Sequence, residues 1–362
     1  MFEPNGAKLN GKKPLKLIIQ IPCFNEEETL PAVLASLPRS IPGVATIEIL
    51  VIDDGSTDRT VEIAESLGVD HIVRHVGNKR LPAAFQSGID ASLKLGADII
   101  VNTDGDHQYP GDQIPQLITP ILEGRADIVI GDRQVGQSPH FSPFKKLLQR
   151  VGSWVVRQAS STTVPDTVSG FRAISKEAAL RLFVTSDFSY TVENLIQAGK
   201  RRLTVAHVPI RTNPTFRPSR LHRGNFNFVK RQGATIIRTY AQYEPLRTFS
   251  YLALPFLLVG GVLLLRILLL YVTGDLARGS NIQSLVLGGV LLIVGILTLF
   301  FGILADQIGS TRRLTEETLY RVRDMEVDLR VKYRELEERT RLIEQAVGGD
   351  EFQVSRYKFR GE

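Results

Sequence analysis

The chain has 362 residues, of which 43% are hydrophobic and 23% are charged, and its formal net charge is +6. This apolar content excludes a long disordered polymer, and the length suggests about two to three domains. Cys23 is the only cysteine, which excludes both a disulfide framework and a zinc site built on cysteines.

The beginning of the chain, residues 1–16, is polar and rich in lysine, without the apolar core of a signal peptide. We therefore expect the N-terminal domain to stay in the cytoplasm. A modest positive charge suits nucleic acid, anionic lipid or a phosphorylated substrate. The basic residues concentrate beside two apolar segments in the second half of the chain, which favours a membrane and argues against nucleic acid.

Short β-rich runs and helix-like stretches alternate through the first 130 residues. The predicted strands are Leu17–Ile21, Ile47–Ile52, Ile99–Asn102 and Ile128–Ile130. The predicted helices are Glu27–Leu37, Thr57–Leu67, Leu81–Leu95 and Ile114–Leu122. This alternation predicts an α/β domain over residues 1–224, with a mostly parallel sheet and helices on both faces. Ligands of such sheets bind at the carboxyl ends of the strands.

The first polar motif follows the first strand and contains Pro22, Asn25 and Glu26. Pro22 ends the strand, and acidic residues are favoured at the start of the helix that comes next. That preference explains Glu27 and Glu28, but it does not require Asn25 and Glu26. These two residues are therefore candidates for ligand binding.

The second motif, Asp53-Asp54-Gly55-Ser56-Thr57, follows the second strand. Asp54 can accept hydrogen bonds from a ribose or a base, and Gly55 allows the backbone to turn closely beneath it. We expect Ser56 or Thr57 to cap the next helix. Capping does not account for the paired aspartates.

The third motif, Asp104-Gly105-Asp106-His107-Gln108, follows a strand of buried character. Two carboxylates one residue apart can share a hard cation with a diphosphate, and the Gln108 carboxamide offers a further oxygen ligand. The alternative is a plain acidic turn, since Asp and Gly favour turns in any case.

Two apolar runs, Tyr251–Val272 and Ile282–Leu304, are long enough to cross a bilayer, and only Arg266 is charged within them. They predict a transmembrane hairpin over residues 249–305. Arginine and lysine flank the hairpin on the side of both chain termini, so the positive-inside rule predicts that the termini and the α/β domain lie in the cytoplasm. The segment 225–248 mixes aromatic and basic residues, which favours an amphipathic helix at the membrane interface.

The tail, residues 306–362, is charged and helix-forming. A seam of apolar residues at heptad spacing runs along it, and Lys332 and Arg339 interrupt the seam. This pattern leaves open a short coiled coil that joins copies of the chain, with the apolar spans contributing to a homo-oligomer, or a solvated helix.

The three polar motifs, in this order and spacing, resemble the family 2 glycosyltransferases of the GT-A fold. Further matches are Gly131-Asp132-Arg133, Ser169-Gly170-Phe171-Arg172 and Arg217-Pro218-Ser219-Arg220. Together they resemble the polyprenyl-phosphate branch, which includes dolichol-phosphate mannose synthases and bactoprenol glucosyltransferases. The resemblance covers roughly residues 15–235 and extends to the two-span anchor. Arg80 departs from the pattern, because the family commonly has glycine there.

The resemblance implies roles for individual residues. The donor nucleotide would be held by Pro22, Asn25, Glu26, Asp53, Asp54 and Asp104. Asp106, Gln108 and Asp104 would hold Mg²⁺ or Mn²⁺ on the donor diphosphate. The acceptor phosphate would be bound by Arg133, Ser169, Arg172, Arg217 and Arg220. Asp106, Arg133 and Arg172 would act in catalysis. Asp166 lies three residues before Ser169, and this position leaves open a group that orients the acceptor or acts as a base, or a helix cap or turn.

These features predict an inverting, metal-dependent transfer of one hexose from a UDP- or GDP-linked sugar to polyprenyl phosphate at the cytoplasmic face of the membrane. The main alternative is a processive polysaccharide synthase of the same superfamily, which is expected to carry a Gln-x-x-Arg-Trp motif that this sequence lacks. A phosphohydrolase would want Thr or Val at position 108, and a non-catalytic membrane scaffold would not need the acidic and basic motifs. The residue pattern leaves the sugar and the base open.

Overall fold

The computed structural model describes residues 14–134, 153–184, 189–214, 233–234, 237–238, 240–274 and 281–346. These residues form a seven-stranded sheet in the order β3-β2-β1-β4-β6-β5-β7. Its strands are β1 (Lys16–Cys23), β2 (Thr46–Asp53), β3 (His71–Arg74), β4 (Ile99–Asn102), β5 (Ile128–Asp132), β6 (Arg172–Ser175) and β7 (Val205–Pro209). The predicted α/β class and mostly parallel sheet are confirmed.

The sheet is mixed, because β6 pairs antiparallel with both β4 and β5 while the other pairings are parallel. The sequence did not predict β3, β6 or β7. From β1 the chain proceeds through β2 to β3 on one side, and then returns to place β4 on the other side of β1. The carboxyl ends of β1 and β4 therefore flank a topological switch point, where open α/β sheets bind their ligands.

Helices cover both faces of the sheet, as the alternation of motifs predicted. Helices of this domain include α1 (Leu30–Ser36), α2 (Thr60–Ser66), α3 (Leu81–Lys94), α4 (Ile114–Leu122), α5 (Lys176–Arg181) and α6 (Tyr190–Lys200), and residues 153–160 are also helical. Neighbouring residues of β1 point to opposite faces: Ile18 belongs to the same apolar core as Phe85 of α3, and Ile19 to the same core as Leu117 of α4. Two apolar cores result, one on each side of the sheet, and they fix the strand ends that carry the polar motifs.

Two long apolar helices follow, α7 (Pro245–Val272) and α8 (Ile282–Ala346). Both are long and apolar enough to cross a membrane. Only 11% and 17% of the residues in their most apolar windows are buried, whereas a core helix of a soluble protein would be mostly buried. The two helices therefore fit the predicted membrane-spanning hairpin.

Glycines bring α7 and α8 into close contact. A Cβ atom on Gly260 would lie 2.9 Å from the backbone nitrogen of Leu292, and one on Gly295 would lie 2.6 Å from the Leu257 side chain. Gly288 and Gly302 meet residues of α7 in the same way. Small residues of this kind let helices pack tightly in lipid, where no hydrophobic effect drives them together.

The predicted interfacial helix, 225–248, lies partly outside the described residues, which are helical at 233–234, 237–238 and 240–243. The predicted tail is helical to Ala346, because α8 continues without a break beyond its apolar half. Residues 347–362 are outside the described part of the chain.

The charged half of α8 packs against the α/β domain, so it is neither fully solvated nor free for a coiled coil along its whole length. Val327 is buried there and joins the core beneath α3. The Tyr320 hydroxyl donates to Glu177 of α5 at 3.1 Å, and Glu316 pairs with Arg201 at 2.8 Å. The residues of the predicted heptad seam are exposed, namely Val322, Met325, Leu329, Leu336 and Ile343.

Arg323 lies where the charged half of α8 contacts the α/β domain, and only 12% of its side chain is exposed. Its guanidinium pairs with Asp90 of α3 and donates to the Leu182 carbonyl at 3.0 Å, just after α5. It also lies over the Phe183 ring. One side chain of the tail therefore joins two helices of the sheet domain.

We expect Arg323→Ala to loosen this docking and to lower the free energy of unfolding by about 1–3 kcal/mol, because it removes charge-assisted hydrogen bonds from a mostly buried position. Hydrogen exchange should speed up over residues 314–333, and thermal unfolding should begin earlier. Arg330→Ala is the matched control, since Arg330 lies on the same helix, is half exposed and bonds only Glu326 among the described residues. Equal exchange in both variants would show that Arg323 does not hold the tail.

Candidate functional site

The three polar motifs meet at the carboxyl edge of the sheet. Glu26 follows β1, Asp54 follows β2, and the acidic turn from Asp104 to Asp106 follows β4. Since β1 lies between β2 and β4, the first motif is flanked by the other two. The motifs lie at the carboxyl ends of the strands, as predicted, and the structure brings them together at the switch point.

The loops after β1 and β2 hold each other through their backbone N–H groups. The Asn25 N–H donates to Ser56 Oγ at 2.9 Å, and the Glu26 N–H donates to Thr60 Oγ1 at 2.8 Å. In return, the Thr57 N–H donates to Asn25 Oδ1 at 2.8 Å. The prediction that Ser56 or Thr57 caps the following helix is wrong, because these residues serve the neighbouring loop.

The first and third motifs touch at Gly105. A Cβ atom there would lie 3.2 Å from Glu26 Cγ and from Cys23 Sγ, and 3.4 Å from the Pro22 carbonyl oxygen. The Thr29 hydroxyl joins the same two loops, since it lies 2.8 Å from Glu26 Oε2 and 2.7 Å from the Gly105 carbonyl oxygen. This contact brings the Glu26 carboxylate towards the acidic turn.

Asp104 lies half-buried within a cluster of negative charge. A Cβ atom added to Gly170 would lie 3.0 Å from both of its carboxylate oxygens. Burial, and next the Asp106 carboxylate, raise the pKa of Asp104 to about 7. The Arg133 guanidinium lowers this pKa, and the Glu26 carboxylate raises it. Asp106 accepts a hydrogen bond from the Gln108 N–H at 3.0 Å, which shapes the turn.

The donor set of this turn fits a divalent cation that is shared with a substrate. Within the described residues, no three His, Cys, Asp or Glu side chains come together as a complete metal site. Mg²⁺ commonly binds through one or two carboxylates and takes its other ligands from phosphates and water. A carboxyl group whose pKa is raised by neighbouring carboxylates is the kind of ligand that such a cation would stabilise in its charged form. Asp104 and Asp106 would hold the cation, with Gln108 beside them.

The two aspartates of the second motif have different surroundings. Asp53 is buried and accepts a hydrogen bond from the Ser56 N–H at 3.0 Å, so it shapes its own turn. Asp54 has 4% of its side chain exposed and accepts from His75 Nδ1 at 2.7 Å and from the Lys79 N–H at 2.8 Å. Asp54 is therefore held by the loop that follows β3.

Gly55 is required at this place for two reasons. Its φ is +75°, and a Cβ atom would lie 2.7–2.9 Å from the backbone of Gly77 and Asn78. The predicted close turn at Gly55 is confirmed. Arg80, in the loop after these residues, has φ +74° and ψ 159°, a conformation that suits glycine and strains other residues.

Arg133 and Asp166 form a two-point ion pair. Arg133 Nε lies 2.7 Å from Asp166 Oδ2, and Nη2 lies 3.0 Å from Oδ1. The Asp166 side chain is 2% exposed and that of Arg133 is 18% exposed. The geometry thus supports Asp166 as the residue that orients Arg133, and it gives no support to Asp166 as a general base.

Arg172 and Ser169 are more deeply buried than a phosphate-binding role requires. Arg172 is 1% exposed, and its guanidinium donates to the carbonyl oxygens of Ser169, Thr191 and Thr167 at 2.8–3.1 Å. Burial lowers the pKa of Arg172 to about 10. The structure therefore favours a role for Arg172 in holding the wall of the site and does not support direct contact with a phosphate. Arg217 and Arg220 lie outside the described residues.

Two residues of the site were missed by the sequence analysis. His75 follows β3, a strand that was not predicted, so its place at the carboxyl edge was not recognised. Tyr190 stacks on Phe85 with ring centroids 4.1 Å apart, and its hydroxyl accepts from Asn102 Nδ2 at 3.2 Å. No local pattern marks Tyr190, because the tertiary fold alone brings α6 beside β4.

Comparison with known proteins agrees with this geometry. The family model described as Glycosyl transferase family 2 matches residues 18–183. The UDP-N-acetylglucosamine–dolichyl-phosphate N-acetylglucosaminyltransferase of Methanococcus voltae is 30% identical over 217 residues, which are 53% of this chain and 83% of that protein. The dolichyl-phosphate hexose transferase of Haloferax volcanii is 31% identical over 200 residues, which are 54% of this chain and 81% of that protein.

Among solved structures, glucosyl-3-phosphoglycerate synthase from Mycobacterium tuberculosis, in complex with Mn²⁺, UDP and glucosyl-3-phosphoglycerate, is 22% identical. The match covers 63% of this chain and 79% of that one, with a TM-score of 0.48.

The raised pKa of Asp104 predicts a pH dependence of stability for the protein without metal. Because the folded state keeps a proton that the unfolded chain releases near pH 4, the free energy of unfolding should fall as the pH rises from about 4 to about 7. Thermal unfolding in detergent with a chelator measures this trend. Asp104→Asn should remove this part of the slope, and Mn²⁺ added at pH 8 should stabilise the wild type more than the variant. The same slope in both proteins would contradict the assignment.

Proposed function

The chain belongs to glycosyl transferase family 2 and is a glycosyltransferase, and on that premise we propose that it transfers one hexose from a nucleoside-diphosphate sugar to polyprenyl phosphate. The product would be a polyprenyl-monophosphosugar, formed with inversion at the anomeric carbon. The observation that carries the proposal is the acidic turn of Asp104 and Asp106 at the switch point, since these like charges call for a cation with a phosphorylated ligand. The names of both relatives contain dolichyl phosphate, which supports a polyprenyl phosphate as the acceptor here.

The acidic turn would bind the diphosphate end of the donor. Asp106 and Asp104 would hold Mg²⁺ or Mn²⁺ there, with Gln108 as a further oxygen ligand. When bound, the cation would stabilise negative charge on the departing diphosphate by several kcal/mol. The protein residues hold the turn in place, because Gly105 packs on Glu26 and the Asp106 carboxylate is fixed by the Gln108 N–H.

The adjoining motifs would bind the nucleoside. Asp54 would accept hydrogen bonds from the base or ribose, and Pro22 and Glu26, at the carboxyl end of β1, would lie beside the nucleoside. The side-chain oxygens of Asn25 and Asp53 accept hydrogen bonds from backbone N–H groups of the loop after β2, so we assign these residues to shaping the nucleoside pocket. One relative is named for a UDP-linked donor, which supports a nucleotide sugar here without deciding the base.

The acceptor phosphate would attack directly and needs no strong base. A phosphate monoester has its second pKa near 6, so it is mostly a dianion at pH 7. One of its oxygens would form a bond to the anomeric carbon as the bond to the diphosphate breaks, and the nucleoside diphosphate would leave. Arg133 uses Nε and Nη2 on Asp166, so we assign its remaining Nη1 edge to the incoming phosphate.

The hairpin α7–α8 would anchor this site at the membrane, where a lipid-linked phosphate is found. We propose that the catalytic domain and both termini face the cytoplasm, because the basic residues flank the hairpin on their side. A single-sugar transfer is favoured over a processive synthase, since the only tryptophan, Trp154, is not part of a Gln-x-x-Arg-Trp motif. Homo-oligomerisation through the apolar helices or the exposed end of α8 stays a prediction.

The proposal is tested by screening UDP-glucose, UDP-N-acetylglucosamine and GDP-mannose with a short-chain polyprenyl phosphate and Mn²⁺. We expect one donor to give a lipid-linked monophosphosugar. Asp106→Ala should lower turnover by at least about a hundredfold, because the charge of the leaving diphosphate is then poorly neutralised.

Glu123→Ala is the control for this loss, since Glu123 lies at the end of α4 and is exposed. Undiminished turnover of Asp106→Ala with added Mn²⁺ would refute the metal site. Hydrolysis of the donor without transfer to the lipid would refute the acceptor class, and chains of several sugars would favour the processive alternative.

A further inference from the structure

The loop after β3 carries an imidazole that the proposed reaction has not used. His75 is buried, with 5% of its side chain exposed, and both of its ring nitrogens have partners. Nδ1 lies 2.7 Å from Asp54 Oδ1, and Nε2 lies 3.0 Å from the Ser87 hydroxyl on α3. The imidazole therefore connects Asp54 to the helix behind the nucleoside pocket.

The bonds to Asp54 are concentrated on one oxygen. His75 Nδ1 and the Lys79 N–H both reach Oδ1 in the part of the chain that the structure describes. An ionised carboxylate only accepts, so the Nδ1 atom must carry the proton in this pair. With Oδ1 fixed by two donors, the direction of Oδ2 is also fixed, and Oδ2 is the oxygen left for a ligand.

We propose that His75 is a positioning residue for the donor nucleobase, acting through Asp54. It holds the carboxylate so that Oδ2 accepts from a ring N–H of the base. Uracil and guanine both present such an N–H, whereas the corresponding ring nitrogen of cytosine is an acceptor and would be repelled by the carboxylate. The inference rests on the proposed function, because it assumes that Asp54 faces a nucleoside.

The same strand supplies a matched control. His71, at the amino end of β3, also pairs with a carboxylate, since its Nε2 lies 2.8 Å from Glu48 Oε2. In the β2–β3 register His71 is opposite Leu50, whereas Arg74, which precedes His75, is opposite Asp53. The two imidazole–carboxylate pairs thus lie at opposite ends of one strand, and only the His75 pair is at the carboxyl edge.

Two substitutions that differ by one methylene group separate the two bonds of His75. The side-chain nitrogen of Asn can take the place of Nδ1 and keep the bond to Asp54. That of Gln reaches the place of Nε2 and can keep only the bond to Ser87. H75N should therefore bind the nucleotide within about threefold of the wild type, and H75Q should bind about tenfold more weakly, as expected for one lost hydrogen bond to a charged group.

The measurement is isothermal titration calorimetry of the full chain in detergent, with Mn²⁺ and either UDP or GDP, together with steady-state kinetics. H75Q should raise the donor KM about tenfold and leave kcat and the acceptor KM unchanged, and H71Q should match the wild type. A D54A/H75Q double variant should bind no more weakly than D54A, because His75 acts only through Asp54. Circular dichroism verifies folding, and H75A replaces H75Q if H75Q does not fold.

Other outcomes of these measurements would refute either the positioning role of His75 or the proposed function. Equal affinities of H75N and H75Q, or additive losses in the double variant, would refute the positioning role while nucleotide binding by the wild type still supports the proposed function. A rise in the acceptor KM equal to that in the donor KM would show a general structural role. If the wild type binds neither UDP nor GDP, the proposed function fails and the role of His75 fails with it.

Discussion

The repulsion between closely placed carboxylates at the end of β4 is the constraint around which the rest of the site is arranged. Asp104 is half-buried beside Asp106 and within reach of Glu26, so its pKa rises to about 7. Acidic groups gathered at a switch point repel one another, and a bound cation or cationic ligand relieves that repulsion. The Arg133 guanidinium, which is paired with Asp166, lowers the pKa of Asp104 but does not cancel the rise.

Holding such a cluster requires loops that cannot move apart. The structure achieves this by exchanging hydrogen bonds between the loops after β1 and β2, where each loop satisfies backbone donors of the other. Gly55 then lets the backbone of Gly77 and Asn78 approach more closely than a side chain would permit, and Gly105 packs tightly against Glu26 and Cys23. These contacts explain why the motifs are polar and glycine-rich even at positions that face no ligand.

The sequence predicted the parts of this architecture that depend on local pattern. Ile114–Leu122 has the predicted bounds, whereas α1 and α2 begin three residues later than predicted because cross-loop hydrogen bonds replace the expected caps. The antiparallel strand β6 was missed since it begins with Arg172, whose burial depends on the carbonyl oxygens of Thr167 in the preceding loop and Thr191 on α6. Tertiary contacts also bring His75 to the site, which the sequence did not predict. They bury Arg172 among carbonyl oxygens, which does not support its predicted role in binding a phosphate.

The continuity of α8 gives the membrane anchor a mechanical connection to the site. One helix runs from the apolar hairpin to Ala346, and its charged half contacts α5 and α3 through Tyr320, Arg323 and Val327. The loop that holds Asp54 leads directly into α3, and the Ser87 hydroxyl of α3 meets His75. Contacts of the tail with α3 therefore also support the loop that holds Asp54. Under the proposed function, this connection would fix the nucleotide-binding side of the site relative to the bilayer. It would then limit the orientations in which a soluble donor and a lipid-bound phosphate meet, which lowers the entropic cost of transfer.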